Sequence, residues 1–463
     1  MEFNILPKTP LYKALSDVGK RIFLPDGIFY WAGRAKTEAI YSATLGAAYA
    51  YEKDFIAGGS SEWIPCYLNG IHSYCENFNV NQIVPYPPIS GVVDLRLAWK
   101  DFILQKSPYS KNMEGPKYEV LDQYITLPII TNGVTNAIYS TLHMILNPNE
   151  FIIAPNKRWG NYDNIVVRLL GARIKSFQFF EGGKFNLNGL KQAIEEIAKI
   201  QKKIIIILNF PNNPTGYVPS SEEMEALIQL LVEENHNLNL PIIVLVDDAY
   251  EPYVFDDSTV QHSIFYKLQQ LNEDIIPVKL DGVTKELLLY GARIGFITIG
   301  LKQKWVENQE ELQTLKKEID NKLSGLIRST ISNCNHFYQN LVLKLLKEQG
   351  IKQIFVDRNK VKDLLKSRYE LINEHIASIR IPGISIDPNS GGYFLFINID
   401  PKIVKASVIA DHLLKKYKVG IIPIEKPEDN INGIRIAYCS INIDQIPEFI
   451  KRIKSAFLDF LNK

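Results

Sequence analysis

An α/β fold built on a mainly parallel sheet is predicted by two features of the chain. Between about residues 124 and 300, short apolar runs alternate with helical patterns. Strands that alternate with helices form sheets covered on both faces. The unusual polar residues fall directly after the apolar runs, and in open α/β sheets ligands bind beyond the carboxyl ends of the strands.

The elements follow in order. Residues 124–130 lead through Asn132 and Gly133 into a helix. Residues 151–154 make a short strand. Residues 204–209, 242–246 and 275–280 are further β-rich runs, and 294–299 closes the series. Residues 190–200 and 221–234 carry apolar side chains at three- and four-residue spacing, as helices with one buried face do. Residues 303–350 read as long helices, heavily charged over 305–323. The chain then returns to α+β character. Residues 394–397 and 434–437 are strand-like, and 406–417 and 445–458 helical, which predicts a smaller second domain. The first 85 residues carry many aromatics and a Gly58-Gly59-Ser60-Ser61 turn, without a clear pattern.

A length of 463 residues exceeds one hydrophobic core, so two or three domains are expected. The net charge is +1, with acids and bases intermixed, and no basic stripe points to nucleic acid. Cys66, Cys75, Cys334 and Cys439 have no zinc-knuckle spacing and no histidine pair to complete one, so no metal site is expected. The start lacks a basic region followed by an apolar run, and no apolar segment is long enough to cross a bilayer. These features predict a cytoplasmic protein with reduced thiols.

Six stretches carry the chemistry. Lys285 follows the strand at 275–280, and Arg293 stands eight residues on in Gly291-Ala292-Arg293-Ile294-Gly295. The amine suits an imine with an aldehyde cofactor, and the arginine suits that cofactor's phosphate. Asn209-Phe210-Pro211-Asn212-Asn213-Pro214-Thr215-Gly216 ends the strand at 204–209 in a rigid turn, with Asn213 confined by the proline after it. Asp247-Asp248-Ala249-Tyr250 ends the next strand, and Asp247 there is either a turn cap or a buried carboxylate for a cationic ring nitrogen. Gly133-Val134-Thr135 opens a helix whose first amides are either capped or free for an anion. Trp159 lies just past another strand end, where it either packs or stacks on a planar ring. Arg435, inside the apolar strand Ile434-Arg435-Ile436, needs an anionic partner: a structural carboxylate or a substrate's.

In combination these strings resemble the fold-type I, pyridoxal-phosphate-dependent aminotransferases of the aspartate aminotransferase superfamily (class I/II), in the family's order from about residue 86 to 438. The resemblance implies a mainly parallel seven-stranded sheet in a large cofactor-binding domain, residues 86–325. The N-terminal segment, 1–85, joins a small C-terminal domain, 326–463. It implies that Lys285 forms the internal aldimine and that Asp247 pairs with the pyridinium nitrogen. Asn213 and Tyr250 would bond the ring hydroxyl oxygen, and Trp159 would stack on the ring. Arg293 and the amides around Val134 and Thr135 would hold the phosphate, and Arg435 the substrate's α-carboxylate. Tyr86 looks like the tyrosine that reaches the neighbouring subunit's phosphate, which implies a homodimer with shared sites. The family often has a cis bond at the position of Asn213-Pro214.

The sequence departs from the family at two places. A serine usual three residues before the lysine is replaced by Gly282, and residues 23–31 match the family's substrate-side loop poorly, with Gly27 as its candidate glycine. The implied reaction moves an amino group from an amino acid to a 2-oxo acid by a ping-pong route. Arg328, Ser332 and Asn333 match an Arg-x-x-x-Ser-Asn string that binds a distal carboxylate across the dimer interface, so glutamate or aspartate is the expected donor. A lyase or decarboxylase would use the same site. A cofactor-binding regulator would need an N-terminal DNA-binding module, and residues 1–85 show no basic helix-turn-helix pattern.

Overall fold

The computed structural model describes residues 3–24, 27–76, 78–110 and 115–461. Its centre is a seven-stranded sheet made of β1 (Ile129–Thr131), β2 (Phe151–Pro155), β3 (Arg173–Phe177), β4 (Ile204–Leu208), β5 (Ile242–Asp247), β6 (Ile275–Gly282) and β7 (Gly295–Ile299). The strand order is β1-β7-β6-β5-β4-β2-β3. β7 runs antiparallel to both its neighbours, and the remaining pairs are parallel. The mainly parallel α/β expectation holds.

Burial on both faces explains the uninterrupted apolar runs. In β4, Ile204, Ile206 and Leu208 share a core with α1 (Val93–Lys106), α3 (Leu187–Ala198) and α4 (Ser221–Leu238). Ile205 and Ile207 face the other core, with α2 (Gly133–Ile145) and α5 (Gln309–Thr330). Helix α4 starts at a capping box in which Ser220 and Glu223 satisfy each other's backbone amides. Helix α5 runs unbroken through position 325.

Several elements differ from the sequence reading. Only Ile129–Thr131 of the first predicted strand pairs in the sheet, while Ile125 makes a lone bridge to Gly300. β3 was not predicted, because as an edge strand its residues are mostly part-exposed and polar. Helix α6 (Ile351–Ile376) occupies a stretch read as the start of the α+β tail.

The second sheet is antiparallel, in the order β8-β9-β11-β10, from β8 (Ile384–Ile386), β9 (Leu395–Ile399), β10 (Ile422–Lys426) and β11 (Ile431–Ile436). Helices α7 (Ala406–Tyr417) and α8 (Ile446–Leu461) accompany it. The N-terminal region joins this sheet's surroundings, with Tyr41–Ser42 pairing beside Val419–Gly420. A hairpin of Tyr49–Tyr51 with Trp63–Pro65 has the 58–61 turn between its strands. The two sheets meet where Gly392 N donates to Tyr253 O at 2.7 Å and Gly391 bridges Val254. Among the described residues, no helix is long and apolar enough to cross a membrane.

Candidate active site

The carboxyl ends of β1, β2, β4, β5 and β6 lie along one edge of the large sheet, and the predicted residues gather there. Asp247 is the last residue of β5, in register with Leu280 of β6. β6 ends at Gly282, and Lys285 sits in the short turn of helix Val283–Glu286 that follows. Lys285 Nζ lies 5.7 Å from the Tyr250 ring centre and 5.3 Å from that of Tyr290. Burial pushes its amine down to about 8, and the cations of Arg293 and Arg435 act in the same direction. Burial pushes the Asp247 carboxyl up to about 6, against the pull of its hydrogen bonds and of Lys285.

The Asn-Pro loop is held by its own asparagines. Asn209 Nδ2 donates to Asp247 O at 2.8 Å, and Asn209 Oδ1 accepts from Asn213 N at 2.8 Å. Asn212 Oδ1 accepts from both the amide and the hydroxyl of Thr215. Asn213-Pro214 is cis, as the resemblance implied, and so is Phe210-Pro211.

Arg435 reaches the same loop from β11. It is 3% exposed. Its Nη1 donates to Asn213 Oδ1 at 3.2 Å, its Nη2 donates to Thr44 O at 2.8 Å, and its plane lies 4.3 Å from the Phe394 ring centre. Its Nε has no hydrogen-bond partner among the described residues, and no carboxylate pairs with the guanidinium there. Burial pushes it down to about 10. The glycine beside this arginine is Gly46, where a side chain would meet the Phe394 ring at 2.7 Å and the Tyr250 hydroxyl at 3.5 Å. Gly27 instead precedes the helix Ile28–Glu38, accepting from Trp31 N. Gly46, not Gly27, is the glycine that lies against Phe394, the ring packed on Arg435.

On the opposite side of Lys285, Arg293 meets the start of α2. A Cβ at Gly133 would stand 2.5 Å from Arg293 Nη2 and would have to push the guanidinium aside, and the φ of 78° there itself favours glycine. The cap residue Asn132 makes no side-chain bond to the helix, which leaves the amides around Val134 and Thr135 without that competitor. A guanidinium beside a helix start is the kind of place that could hold an anion. Gly282 has a spatial reason too: a Cβ there would lie 2.7 Å from Ile294 O and 3.2 Å from Val134 Cγ2.

Trp159 is half-buried, with its ring 5.6 Å from Tyr162. Tyr162, absent from the sequence reading, donates from Oη to Asp247 Oδ2 at 2.5 Å. A buried ionic network was also missed. Lys279, wholly buried, pairs with Asp248 and with Glu251, the latter at 2.8 Å. Lys106 bridges Glu251 at 2.6 Å and Glu286 at 3.1 Å, and Arg358 pairs with Glu286. Each of these acids directly follows a site residue: Asp248 after Asp247, Glu251 after Tyr250, Glu286 after Lys285.

Tyr86 and Arg328 make no described contact with this cluster. Tyr86 is 90% exposed. Arg328 is exposed at the end of α5 and donates to Ser332 Oγ. The two stretches adjoin, since Asn333 Nδ2 donates to Pro87 O at 3.4 Å and His336 Nδ1 lies 2.8 Å from Pro85 O.

Comparison with known proteins identifies the family. The family described as "Aminotransferase class I and II" matches residues 82–453. A probable aspartate/prephenate aminotransferase of Aquifex aeolicus is 22% identical over 375 residues, covering 80% of this chain and 83% of its own. An aspartate aminotransferase of Bacillus subtilis is 25% identical over 384 residues, covering 80% and 82%. The crystal structure of an aminotransferase from Anaerococcus prevotii superposes with a TM-score of 0.77 at 26% identity, covering 94% of this chain and 98% of that one. Because the family match spans most of the chain, from ahead of Tyr86 to beyond Arg435, the protein belongs to the class I and II aminotransferases and is a pyridoxal-phosphate-dependent enzyme.

Proposed function

We propose that this aminotransferase moves the amino group of an α-amino acid to a 2-oxo acid by a ping-pong route, with an acidic amino acid, glutamate or aspartate, as one donor. The observation that carries the reading is Arg435: a buried guanidinium facing Lys285's site with no carboxylate partner among the described residues. A buried cation left without an anion is costly, and an α-carboxylate between its free edge and the site would supply one.

The residues present fit pyridoxal phosphate. Arg293 with the start of α2 would take the phosphate, Asp247 the ring nitrogen, Asn213 and Tyr250 the ring oxygen, and Trp159 a ring face. When bound, the cofactor supplies an electrophilic carbon and an electron sink. The protein's own residues supply position and proton handling. Arg435 fixes the carboxylate and so orients the substrate's Cα. Lys285, with its amine lowered to about 8, is neutral in an appreciable fraction at neutral pH and takes the Cα proton as a general base. Asp247, ionised above about pH 6, holds a proton on the ring nitrogen through its charge.

The acidic donor rests on Arg328, Ser332 and Asn333, and on the relatives named as aspartate aminotransferases. Tyr86 and Arg328 lie on adjoining exposed segments, which supports a homodimer in which both reach the neighbouring site. The test is to load the protein with pyridoxal phosphate, add single amino acids, and record which convert its spectrum to the pyridoxamine form. Glutamate or aspartate should do so, with the matching 2-oxo acid released. Pyruvate and ammonia formed without any oxo-acid acceptor would make it a lyase. Equal turnover of glutamate by Arg328→Leu would remove the acidic reading.

A further inference from the structure

The loop at residues 44–48 carries two features of the substrate side: Thr44 O, which orients Arg435, and Gly46, which abuts Phe394 and Tyr250. Most of its ties come from the small sheet's side of the molecule or from the N-terminal hairpin. Cys439 Sγ lies 3.5 Å from Leu45 O, Cys66 N donates to Ala48 O at 2.8 Å, and the preceding Ala43 bonds Gly420 and Ala437. From the Lys285 turn there is one described tie. Ala48 N, fully buried, donates to Tyr290 Oη at 2.9 Å.

Tyr290 stands five residues after Lys285, and its ring centre is 5.3 Å from Lys285 Nζ. Its oxygen lies 3.5 Å from Tyr393 Oη. Tyr393 packs edge-on against Tyr250 and Tyr253, and Tyr253 Oη returns to Lys285 O at 2.9 Å. The phenols therefore close a path from the backbone of Lys285 to the loop that sets Arg435. Phenylalanine would fill the space at 290 equally well, so packing alone does not require the hydroxyl. The acceptor for Ala48 N does, because a buried amide without one is destabilising.

We infer that Tyr290 is a positioning residue whose hydroxyl fixes the span between the amine of Lys285 and the carboxylate grip of Arg435. The inference rests on the substrate-carboxylate role proposed above for Arg435. Its consequence is specific: loss of the hydroxyl loosens the grip and leaves the amine and the cofactor cradle in place.

The test is Tyr290→Phe in the loaded enzyme, with a parallel titration of succinate, a dicarboxylate that cannot form an imine, into the cofactor-free protein. The expected result is a KM for the amino acid raised about three- to tenfold, with the succinate dissociation constant raised to match. kcat should stay within about twofold. The absorbance of the bound cofactor should stay that of the wild type. An unchanged KM and succinate affinity overturns the inference, and so does a fall in kcat at constant KM. If the wild-type enzyme exchanges no amino groups, the proposed function fails, whereas the succinate titration still decides the role of Tyr290.

Discussion

Tyr162 Oη donates to Asp247 Oδ2 at 2.5 Å, and both residues are buried at the end of β5. The bond matters because burial opposes the charge on Asp247, while the phenol, the Ala249 amide and Lys285 restore part of it. A hydrogen bond to the ionised form lowers a carboxyl pKa, so Tyr162→Phe must raise it further above about 6, by about one unit. A neutral carboxyl cannot pair with a cationic ring nitrogen. Pyridoxal phosphate affinity of the cofactor-free protein should therefore weaken as pH falls through about 6, and the variant should weaken at higher pH. Fluorescence titrations across pH 5 to 8 test this. Coincident profiles would show that Tyr162 does not tune Asp247.

The contact between Gly133 and Arg293 predicts a graded loss of cofactor. Gly133 has φ of 78°, and a methyl group there would strike the guanidinium. Gly133→Ala should raise the pyridoxal phosphate dissociation constant about tenfold by displacing the arginine. Arg293→Ala should raise it about a hundredfold, since charge-assisted bonds contribute about 1.5–3 kcal/mol each. Equilibrium dialysis measures both. Wild-type affinity in Arg293→Ala would place the phosphate elsewhere.

Restoring the family's serine at 282 should not help. The new Cβ would meet Ile294 O and Val134 Cγ2 within 3.2 Å, in a place where β6, β7 and the start of α2 close on one another. Gly282→Ser should destabilise the protein by about 1–3 kcal/mol through overpacking, with no gain in cofactor affinity. Denaturant unfolding and a cofactor titration would check it. A tighter cofactor at unchanged stability would mean that the backbone yields and the hydroxyl reaches the phosphate.

Some of this site could be read from sequence because its chemistry is local. The turn of the string from Asn209 to Gly216 is closed by its own asparagines, and β4 and most of β5 are apolar because both their faces are covered. Residues whose role lies in a distant contact were invisible. Tyr162 stands 85 positions from Asp247, and nothing in its short helix announces the partner. Gly46, which lies against Phe394 beside Arg435, stands in a stretch without a motif. Lys279, Lys106 and Arg358 look like ordinary surface charges until folding brings them to acids that follow the site residues. The edge strand β3 was missed because one-sided exposure leaves it polar.

Arg435 should separate activity from stability. Two of its nitrogens are held by Asn213 and Thr44, so the fork is preset, and among the described residues its charge has no carboxylate to offset burial. Arg435→Leu removes from between Ile434 and Ile436 a buried cation that no carboxylate among the described residues offsets. The cofactor-free variant should unfold close to the wild-type denaturant concentration, because relief of the buried charge offsets the two hydrogen bonds lost at Asn213 and Thr44. Its kcat/KM should nevertheless fall about 10²- to 10³-fold for every α-amino acid, because the lost group meets the carboxylate they share. Arg435→Lys should recover little, since a single ammonium cannot hold Asn213 and Thr44 and still offer a free edge to the substrate. Unfolding curves on the cofactor-free protein and kinetics on the loaded enzyme give the two halves. A strongly destabilised Arg435→Leu protein with undiminished kcat/KM would make Arg435 a structural residue and leave the carboxylate grip to be found elsewhere.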